Sequence, residues 1–382
     1  MDFRLSEEQR ILRDMVRDFA RKEIEEAASR NDREKTFPRE ILQKAASLGL
    51  MGVSVPAEYG GAGMDPLSYV LAIEEIAKAC ASTAVTLSVH NSLACGTLLK
   101  YGSEQLKQEW LPSAARGEVL GCYMLTEPEA GSDAASLSCR ADACEGGWTV
   151  NGSKAFVTNG GESAFGILYA RTDRDSRSRG ISAFLVDFSS EGLVCGPEEK
   201  KMGLNASSTI MVSLEDVFLP ASCLLGEVNR GYGIALEMLN GGRIGIGAQA
   251  LGLASEALRL ALAYSREREQ FGKPIVENQS IQEHLTEMSL LVQQSRWMVY
   301  RAAQDYQDII FAAASAKLAA SKAAVRCAEL AVQIHGGYGY TKDYKVERIF
   351  RDARVTEIYE GTSEVQRLVM IRQMLSEKEG VS

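Results

Sequence analysis

The hydrophobic period of this chain changes twice, and these changes constrain its architecture more than any other feature. From Ser6 to about Gly117 apolar residues recur at helical spacing, and the next 110 or so residues are short β-type runs separated by Gly, Asn, Asp and Ser. From Gly231 onward the helical period returns. The sequence therefore predicts a mainly α protein with a central β domain: an N-terminal helical domain (1–118), a β barrel or sandwich (119–228) and a C-terminal four-helix bundle (229–382).

The N-terminal helices have recognisable start and stop signals. Ser6 precedes an acidic first turn and predicts an N-cap, and Pro38 predicts the start of another helix. After the loop PAEYGGAGMDP, two helices are predicted to join near Ser82. The second, over residues 82–99, is rich in small residues and has no charged side chain before Lys100, so we expect it to be buried. Core packing is the favoured interpretation, although small side chains also leave room for a ligand.

Turn residues divide the central segment into strands. Asn151-Gly152, between WTV and SKAFVT, predicts a hairpin with a type I′ turn. The charged run RTDRDSRSRG, residues 171–180, predicts a solvated hairpin loop.

Four long helices are predicted in the C-terminal segment, over residues 231–267, 278–306, 309–335 and 344–375. The breaks are FGKP, the Tyr306-Gln307-Asp308 region and HGGYGYTKDY. Residues 245–250 match the dinucleotide pattern G-x-G-x-x-G/A, but no strand precedes them and they lie inside a helical period. Close helix packing is therefore the better explanation of these glycines.

Charge and composition exclude several classes of function. The net charge of −9 argues against nucleic acid as a partner, and no apolar run approaches the length of a membrane span. The eight Cys are scattered and the three His are isolated, so no metal site is predicted. The first residues resemble neither a secretory nor a mitochondrial signal, which predicts a cytoplasmic protein or a mature form without its targeting peptide.

One acidic residue is placed as a candidate general base. Glu360 follows the apolar pair Ile358-Tyr359 and directly precedes Gly361-Thr362-Ser363. Desolvation by apolar neighbours raises the pKa of a carboxyl group, which suits proton abstraction near neutral pH. On these residues alone, a helix end followed by an N-cap from Thr362 or Ser363 explains the stretch equally well.

Five motifs in order resemble the acyl-CoA dehydrogenase family, most closely its short-chain, butyryl-CoA dehydrogenase-like members. They are YMLTEPEAGSD (123–133), KAFVTNG (154–160), REREQFGKPIVENQ (266–279), QIHGGYGY (333–340) and RDARVTEIYEGTSEVQR (351–367). The resemblance covers essentially the whole chain. It implies the same helical, β and helical order, FAD as cofactor and a homotetramer built as a dimer of dimers.

The resemblance assigns three groups of FAD contacts. Tyr123, Leu125 and Thr126 would line one side of the flavin, and Phe156, Val157 and Thr158 the other, with Thr158 near N5. Phe156 stands where members usually have Trp, so the indole N–H is lost. A neighbouring subunit would contribute Arg268, Phe271, Gln279, Gln333, Gly336 and Gly337, whereas Thr362, Glu364 and Gln366 would belong to the same subunit. Arg offers planar donors to phosphate, and Gly exposes backbone N–H groups.

The implied reaction is α,β-dehydrogenation of an acyl-CoA thioester to a trans-2-enoyl-CoA. Glu360 would take the α-proton and flavin N5 the β-hydride, with the Glu360 backbone N–H and the ribityl 2′-hydroxyl of FAD as donors to the thioester carbonyl. Some members carry the base one residue before Arg243, but here that residue is Gly242. The implied substrate contacts are Ser132, Asn240, Arg243 and Gly361.

The resemblance also bears on the substrate and the acceptor. Ala84 stands where glutaryl-CoA dehydrogenases carry an Arg, so a neutral short, branched or cyclic acyl group is expected. The implied electron acceptor is an electron-transferring flavoprotein. Two alternatives remain open: a fold-related flavin monooxygenase or oxidase that uses O2, and a non-enzymatic scaffold. The retained Glu360 argues against the monooxygenases, and Glu360, Arg268 and the QIHGG segment argue against the scaffold.

Overall fold

The computed structural model describes residues 4–304 and 308–376. Seven helices come first. Ser6 caps the first helix through a capping box, since its Oγ accepts from the Gln9 N–H at 3.1 Å and its own N–H donates to Gln9 Oε1 at 3.0 Å. The helices are α1 (Glu7–Phe19), α2 (Glu25–Glu34), α3 (Arg39–Ser47), α4 (Pro66–Ala79), α5 (Ala81–Ser88), α6 (Gly96–Tyr101) and α7 (Glu104–Ala115).

The predicted starts and breaks of these helices are largely confirmed. Pro38 occupies the N-cap position of α3, and α4 ends at Ala79 with Cys80 as its C-cap, two residues before the predicted junction. A π-helical segment, Val89–Cys95, joins α5 to α6, and nearly every residue of this stretch up to Leu98 is buried, as its small side chains predicted.

The central segment forms one eight-stranded sheet. Its order is β6-β7-β3-β2-β4-β5-β8, with β1 paired in parallel to β4. The strands are β1 (Gly121–Met124), β2 (Arg140–Cys144), β3 (Gly147–Thr158), β4 (Phe165–Arg171), β5 (Ile181–Asp187), β6 (Leu193–Glu198), β7 (Thr209–Pro220) and β8 (Leu224–Leu225). The charged run after Arg171 connects the antiparallel pair β4 and β5, as predicted.

The predicted hairpin turn at Asn151-Gly152 is wrong. Both residues lie inside β3, and the turn between β2 and β3 is at residues 144–147. Asn151 exchanges hydrogen bonds with Asp216 of the next strand at 2.9 and 3.0 Å. Gly152, at φ 149°, allows a bulge, because a Cβ there would lie 2.7 Å from the Cα of Cys139. Cross-strand pairing therefore decides this site against the local turn preference.

The C-terminal segment is a helical bundle. Its helices are α8 (Gly231–Glu267), α9 (Gln279–Gln304), α10 (Ile309–His335), α11 (Val346–Arg354) and α12 (Ser363–Ser376), and a short ribbon of β9 (Glu269–Gln270) and β10 (Lys273–Pro274) follows α8. The predicted breaks after α8 and α10 are confirmed. Of the predicted break at residues 306–308, Tyr306 and Gln307 lie outside the described residues. Residues 245–250 lie within α8, as expected for packing glycines.

One helix prediction in the bundle is wrong. The segment 344–375 is two helices, because Glu360 (φ 54°) and Gly361 (φ 87°) adopt left-handed backbone conformations between them. This interruption places the candidate base in a turn rather than on a helix face.

The hydrophobic core joins the three segments of the chain. One cluster joins the N-terminal helices to the bundle, and a second joins α6 and α7 to β4, β5 and the start of α8. Tyr123 packs against both clusters. In the described part of the chain, no helix is long and apolar enough to cross a bilayer.

Candidate active site

The Glu360 carboxyl group lies in the turn between α11 and α12. The residue is partly exposed, but its Oε2 is buried and has no hydrogen-bond partner among the described residues. Burial raises the pKa of this carboxyl to about 7, and the positive charges of Arg243 and Lys317 keep it from rising further. The group is therefore a buried carboxyl with a free oxygen and a pKa suited to proton transfer at neutral pH.

Gly242 on α8 provides the space for this carboxyl. A Cβ built on Gly242 would lie 2.3 Å from Glu360 Oε2 and 2.9 Å from its Cδ. No side chain fits between the helix backbone and the carboxyl group, so the Glu360 carboxyl can occupy this position only while residue 242 is glycine.

Asn240 and Arg243 lie on the same helix and are both buried. Arg243 Nη1 donates to Asn240 Oδ1 at 2.9 Å, and Arg243 Nε is buried without a partner in the described chain. Burial lowers the pKa of the Arg243 guanidinium, while Glu360 and Tyr123 act in the opposite direction. The structure thus brings two of the predicted substrate contacts close to Glu360 and leaves one of their donors unused.

Two buried side chains donate hydrogen bonds to the carbonyl groups of this turn: Lys317, which the sequence did not identify, and Gln366, which was predicted as an FAD contact. Lys317 Nζ, on α10, donates to the Gly361 carbonyl at 2.8 Å, and Gln366 Nε2 donates to the same carbonyl at 2.8 Å and to that of Glu360 at 3.1 Å. Both residues are fully buried. A signal for Lys317 existed, since it is a lone charge within the small-residue run AAASAKLAAS.

A polar wall lies further along the face of α8 that carries Gly242. Tyr69 Oη and Ser88 Oγ hydrogen bond to each other at 2.8 Å and face Gly245, where a Cβ would lie 2.3 Å from Tyr69 Oη. One turn on, Gln249 accepts a hydrogen bond from Tyr359 and donates to the Ala81 carbonyl at 2.9 Å. Sequence reasoning did not identify this wall, whose members come from four separate elements.

The predicted flavin contacts of the β domain lie in two chain segments that a backbone hydrogen bond joins. The Ala155 N–H donates to the Thr126 carbonyl at 2.9 Å, which joins the segment after β1 to the end of β3. Leu125 and Val157 are buried, Tyr123, Thr126 and Thr158 are half-buried, and Phe156 is 66% exposed at φ 54°. Tyr123 Oη donates to the Ala235 carbonyl of α8 at 3.3 Å. Ser132 is exposed in the loop that follows.

Three of the six predicted contacts from a neighbouring subunit lie together in a second cluster. Arg268, Gly336 and Gly337 line a pocket of about 530 Å³ together with Tyr264, His335 and Tyr338. The Arg268 guanidinium lies 5.7 Å from the centre of the Tyr338 ring. Phe271, Gln279 and Gln333 are exposed nearby in sequence, and Phe271 is 98% exposed.

The two clusters do not meet within one chain. Arg268 lies 25 residues beyond Arg243, at the end of the continuous helix α8, which corresponds to about 37 Å along the helix axis.

The same-subunit residues lie at the start of α12. Thr362 Oγ1 accepts from the Val365 N–H at 3.3 Å, so Thr362 is the N-cap, and Glu364 is exposed and bonds Arg367. Ser363 Oγ and Gln366 Oε1 are buried and have no partner among the described residues. Within residues 4–304 and 308–376, no three His, Cys, Asp or Glu side chains are grouped as in a metal site.

Comparison with known proteins gives the same family over the whole chain. Models of the acyl-CoA dehydrogenase N-terminal, middle and C-terminal domains match residues 6–118, 122–217 and 229–375. The short-chain specific acyl-CoA dehydrogenase of Clostridium acetobutylicum is 44% identical over 373 residues, 97% of this chain and 98% of the relative.

Two solved structures give the same result. The butyryl-CoA dehydrogenase of Megasphaera elsdenii superposes with a TM-score of 0.96 at 40% identity, covering 98% of this chain and 100% of the other. A chain from work on the electron transferring flavoprotein of Acidaminococcus fermentans gives a TM-score of 0.97 at 41% identity, covering 99% and 100%.

The chain therefore belongs to the acyl-CoA dehydrogenase family, as an enzyme similar to its short-chain, butyryl-CoA dehydrogenase-like members, and its cofactor is FAD. The predicted family, fold class and cofactor are confirmed.

The residues present fit FAD. The exposed Phe156 ring offers an apolar face, and the buried Ser363 Oγ and Gln366 Oε1 are polar atoms without protein partners. At Gly336 and Gly337 a Cβ would have no atom within 4 Å, so their backbone is open to a ligand.

Proposed function

We propose that this enzyme dehydrogenates the α,β-carbons of a short, neutral acyl-CoA thioester, with Glu360 as the base that removes the α-proton. The observation that carries the proposal is the buried, unpartnered Oε2 of a carboxyl group whose pKa is raised to about 7. Such a group is ionised in a substantial fraction of molecules at neutral pH, and its unpartnered oxygen is free to accept a proton.

The proton transfer needs stabilisation of the charge that develops on the thioester carbonyl. The backbone N–H of Glu360 has no acceptor among the described residues, and it lies next to the base in the same turn. We assign it as a donor to that oxygen. When bound, FAD supplies the acceptor for the β-hydride, and the product is a trans-2-enoyl-CoA. Tyr123, Leu125, Thr126, Phe156, Val157 and Thr158 are proposed to hold the flavin.

A short acyl group is supported by the polar wall along α8. Gly242, Gly245 and Gln249 follow each other at three- and four-residue intervals, so they share one face of the helix. Gln249 is fully buried two turns beyond the base, or about 10 Å along the axis. Its hydrogen bonds to Tyr359 and Ala81 fix the wall and limit the space for an alkyl chain. Ala84 is fully buried and offers no charge to a second carboxylate.

The remaining substrate contacts are proposed from the same geometry. Arg243 and Asn240 would contact the CoA portion, Ser132 lies in an exposed loop suited to the pantetheine, and Gly361 faces the thioester. The Arg268 pocket would complete the FAD site of a neighbouring subunit in a homotetramer. An electron-transferring flavoprotein is the proposed acceptor, supported by the similarity to the chain from the Acidaminococcus flavoprotein work. The cytoplasmic location stays a prediction.

Anaerobic titration with a panel of thioesters tests the proposal. Butyryl-CoA and branched short thioesters are expected to bleach the flavin absorbance, whereas glutaryl-CoA and octanoyl-CoA are expected to bleach it slowly. Glu360→Gln should bind the same thioesters without bleaching. Fast reoxidation of the reduced enzyme in air would instead support an oxidase or monooxygenase.

A further inference from the structure

Lys317 is a fully buried lysine whose place in the molecule is not explained by packing. It is 0% exposed on α10, in a helix whose other inward residues are mostly Ala, and its Nζ donates to the Gly361 carbonyl at 2.8 Å. Burying an ammonium group is costly unless a nearby negative charge compensates for it.

The hydrogen bond alone does not require a lysine. The Gly361 carbonyl already accepts from Gln366 Nε2 at 2.8 Å, so a neutral side chain at position 317 would not leave this carbonyl without a donor. The buried acid with an unpaired oxygen next to this carbonyl is Glu360. The positive charge of Lys317 therefore has an electrostatic partner in the turn that it supports.

We propose that Lys317 is a positioning residue for the base: its hydrogen bond holds the Gly361 carbonyl so that the left-handed turn presents Glu360, and its positive charge favours the ionised form of Glu360. The inference rests on the proposed function. Lys317 acts through Glu360 and the Gly361 backbone rather than on the substrate.

The charged surroundings agree with this role. Burial raises the pKa of Glu360, and the positive charges of Arg243 on α8 and Lys317 on α10 lower it. Burial also raises the pKa of three tyrosines, and the charge of Glu360 raises it further: Tyr123 of β1, Tyr69 of α4 and the adjacent Tyr359. Lys317 is influenced by Glu360, Arg243, Glu357 and Glu364, and burial lowers its own pKa to about 8. Arg243 hydrogen bonds to Asn240 rather than to the turn, so among the described residues Lys317 is the cation that donates directly to the Glu360 turn.

Two variants of similar size separate the charge from the hydrogen bond. Lys317→Gln retains a donor without charge, and Lys317→Met removes both. Lys322→Met is the matched control, because Lys322 is an exposed lysine on the same helix. Infrared difference titration of the FAD-loaded proteins reports the Glu360 carboxyl band, which Glu360→Gln identifies by its loss.

Loss of the Lys317 charge is expected to raise the pKa of Glu360. The pKa of Glu360 should rise by about one unit in both Lys317 variants and stay unchanged in Lys322→Met. Loss of the hydrogen bond to Gly361 is expected to displace the base. Flavin reduction at pH values above the pKa of Glu360 should therefore slow about tenfold in Lys317→Met and less in Lys317→Gln. A Glu360 pKa within about 0.3 units of the parent value in both variants would overturn the proposal.

Reciprocity provides a second measurement that does not depend on replacing Lys317. Because coupling between two sites is mutual, Glu360→Gln should lower the pKa of Lys317 by about the same amount. Carbon NMR of ε-labelled lysine measures this pKa. An unchanged Lys317 pKa in this variant would also overturn the proposal. A parent enzyme that no thioester reduces would sink the proposed function instead, while the titrations would still report the coupling.

Discussion

Gly242 and Glu360 lie so close that a Cβ on the glycine would be 2.3 Å from the carboxylate oxygen Oε2. The backbone of α8 is thus one wall of the space that the base occupies. The identity of residue 242 limits where the carboxyl group can lie, although Gly242 itself performs no chemistry.

Gly242→Ala should displace the base with little effect on the fold. Relieving a 2.3 Å contact needs a movement of about 1 Å, and a misplacement of that size costs about a hundredfold in rate. Stopped-flow flavin reduction measures the loss. Gly241→Ala is the matched control, since its Cβ would lie 3.9 Å from Ser92 Cβ, an ordinary contact. Equal rates in the two variants would contradict the argument.

Glu360→Gln should stabilise the protein at alkaline pH. The folded-state pKa of about 7 lies above the ordinary 4.5, so the folded protein binds more protons than the unfolded one between these values. The stability of the parent therefore falls as pH rises from about 4.5 to about 7. The Glu360→Gln variant does not lose this stability, so its free energy of unfolding at pH 8 should exceed that of the parent by at most about 3 kcal/mol. Calorimetric scans should show it at pH 8 and show it vanishing near pH 4; the opposite trend would refute the assignment.

Gln249→Ala should lengthen the acyl pocket. The substitution removes the hydrogen bonds to Tyr359 and Ala81 and opens space two turns beyond the base. The ratio of kcat/KM for hexanoyl-CoA to that for butyryl-CoA should rise by at least about tenfold, the factor that a single methylene is worth in an apolar pocket. An unchanged ratio would show that another residue closes the pocket.

Lys154→Met should destabilise the β domain. Lys154 and Glu127 form a buried ion pair at 2.7 Å, with side chains 0% and 3% exposed. Burial raises the pKa of Glu127, but the Lys154 charge and the N–H groups of Ser138 and Cys139 outweigh it and hold this pKa low. Without Lys154 a buried carboxylate lacks its counter-charge, which costs about 3–5 kcal/mol.

Urea unfolding measures this cost for Lys154→Met, with Lys200→Met as the control because Lys200 is exposed. A loss below about 1 kcal/mol would mean that the hydrogen bonds from Ser138 and Cys139 suffice on their own.

The sequence was sufficient for the long helices but not for the turn at Glu360. Helices α8 and α10 match their predicted ranges because a continuous 3.6-residue period sets them. The stretch VTEIYEGTSEV offers a helix end and an N-cap at Gly361-Thr362, but the helical period on both sides of it predicted one helix over residues 344–375. The turn depends instead on Lys317 and Gln366, which bind its carbonyl groups from elsewhere in the fold.

A similar limit applies to the site. Glu360 was recognisable because its apolar neighbours and the following glycine are adjacent in sequence. Gln249, Tyr69 and Ser88 form one wall only after α4, α5 and α8 pack together, so no local pattern connects them. Asn151-Gly152 shows the reverse case, in which a strong local turn signal yields to pairing with β7.

The length of α8 has a genetic consequence. Because the helix separates Arg243 from Arg268 by about 37 Å, a chain that receives FAD contacts from its neighbour carries one half of each of two different sites. A substitution of Arg268 would then inactivate the site to which the chain contributes Arg268, and a substitution of Glu360 would inactivate the other site. If the proposed tetramer forms, cells that express both variants should assemble some mixed oligomers with an intact site, so two inactive alleles would complement each other.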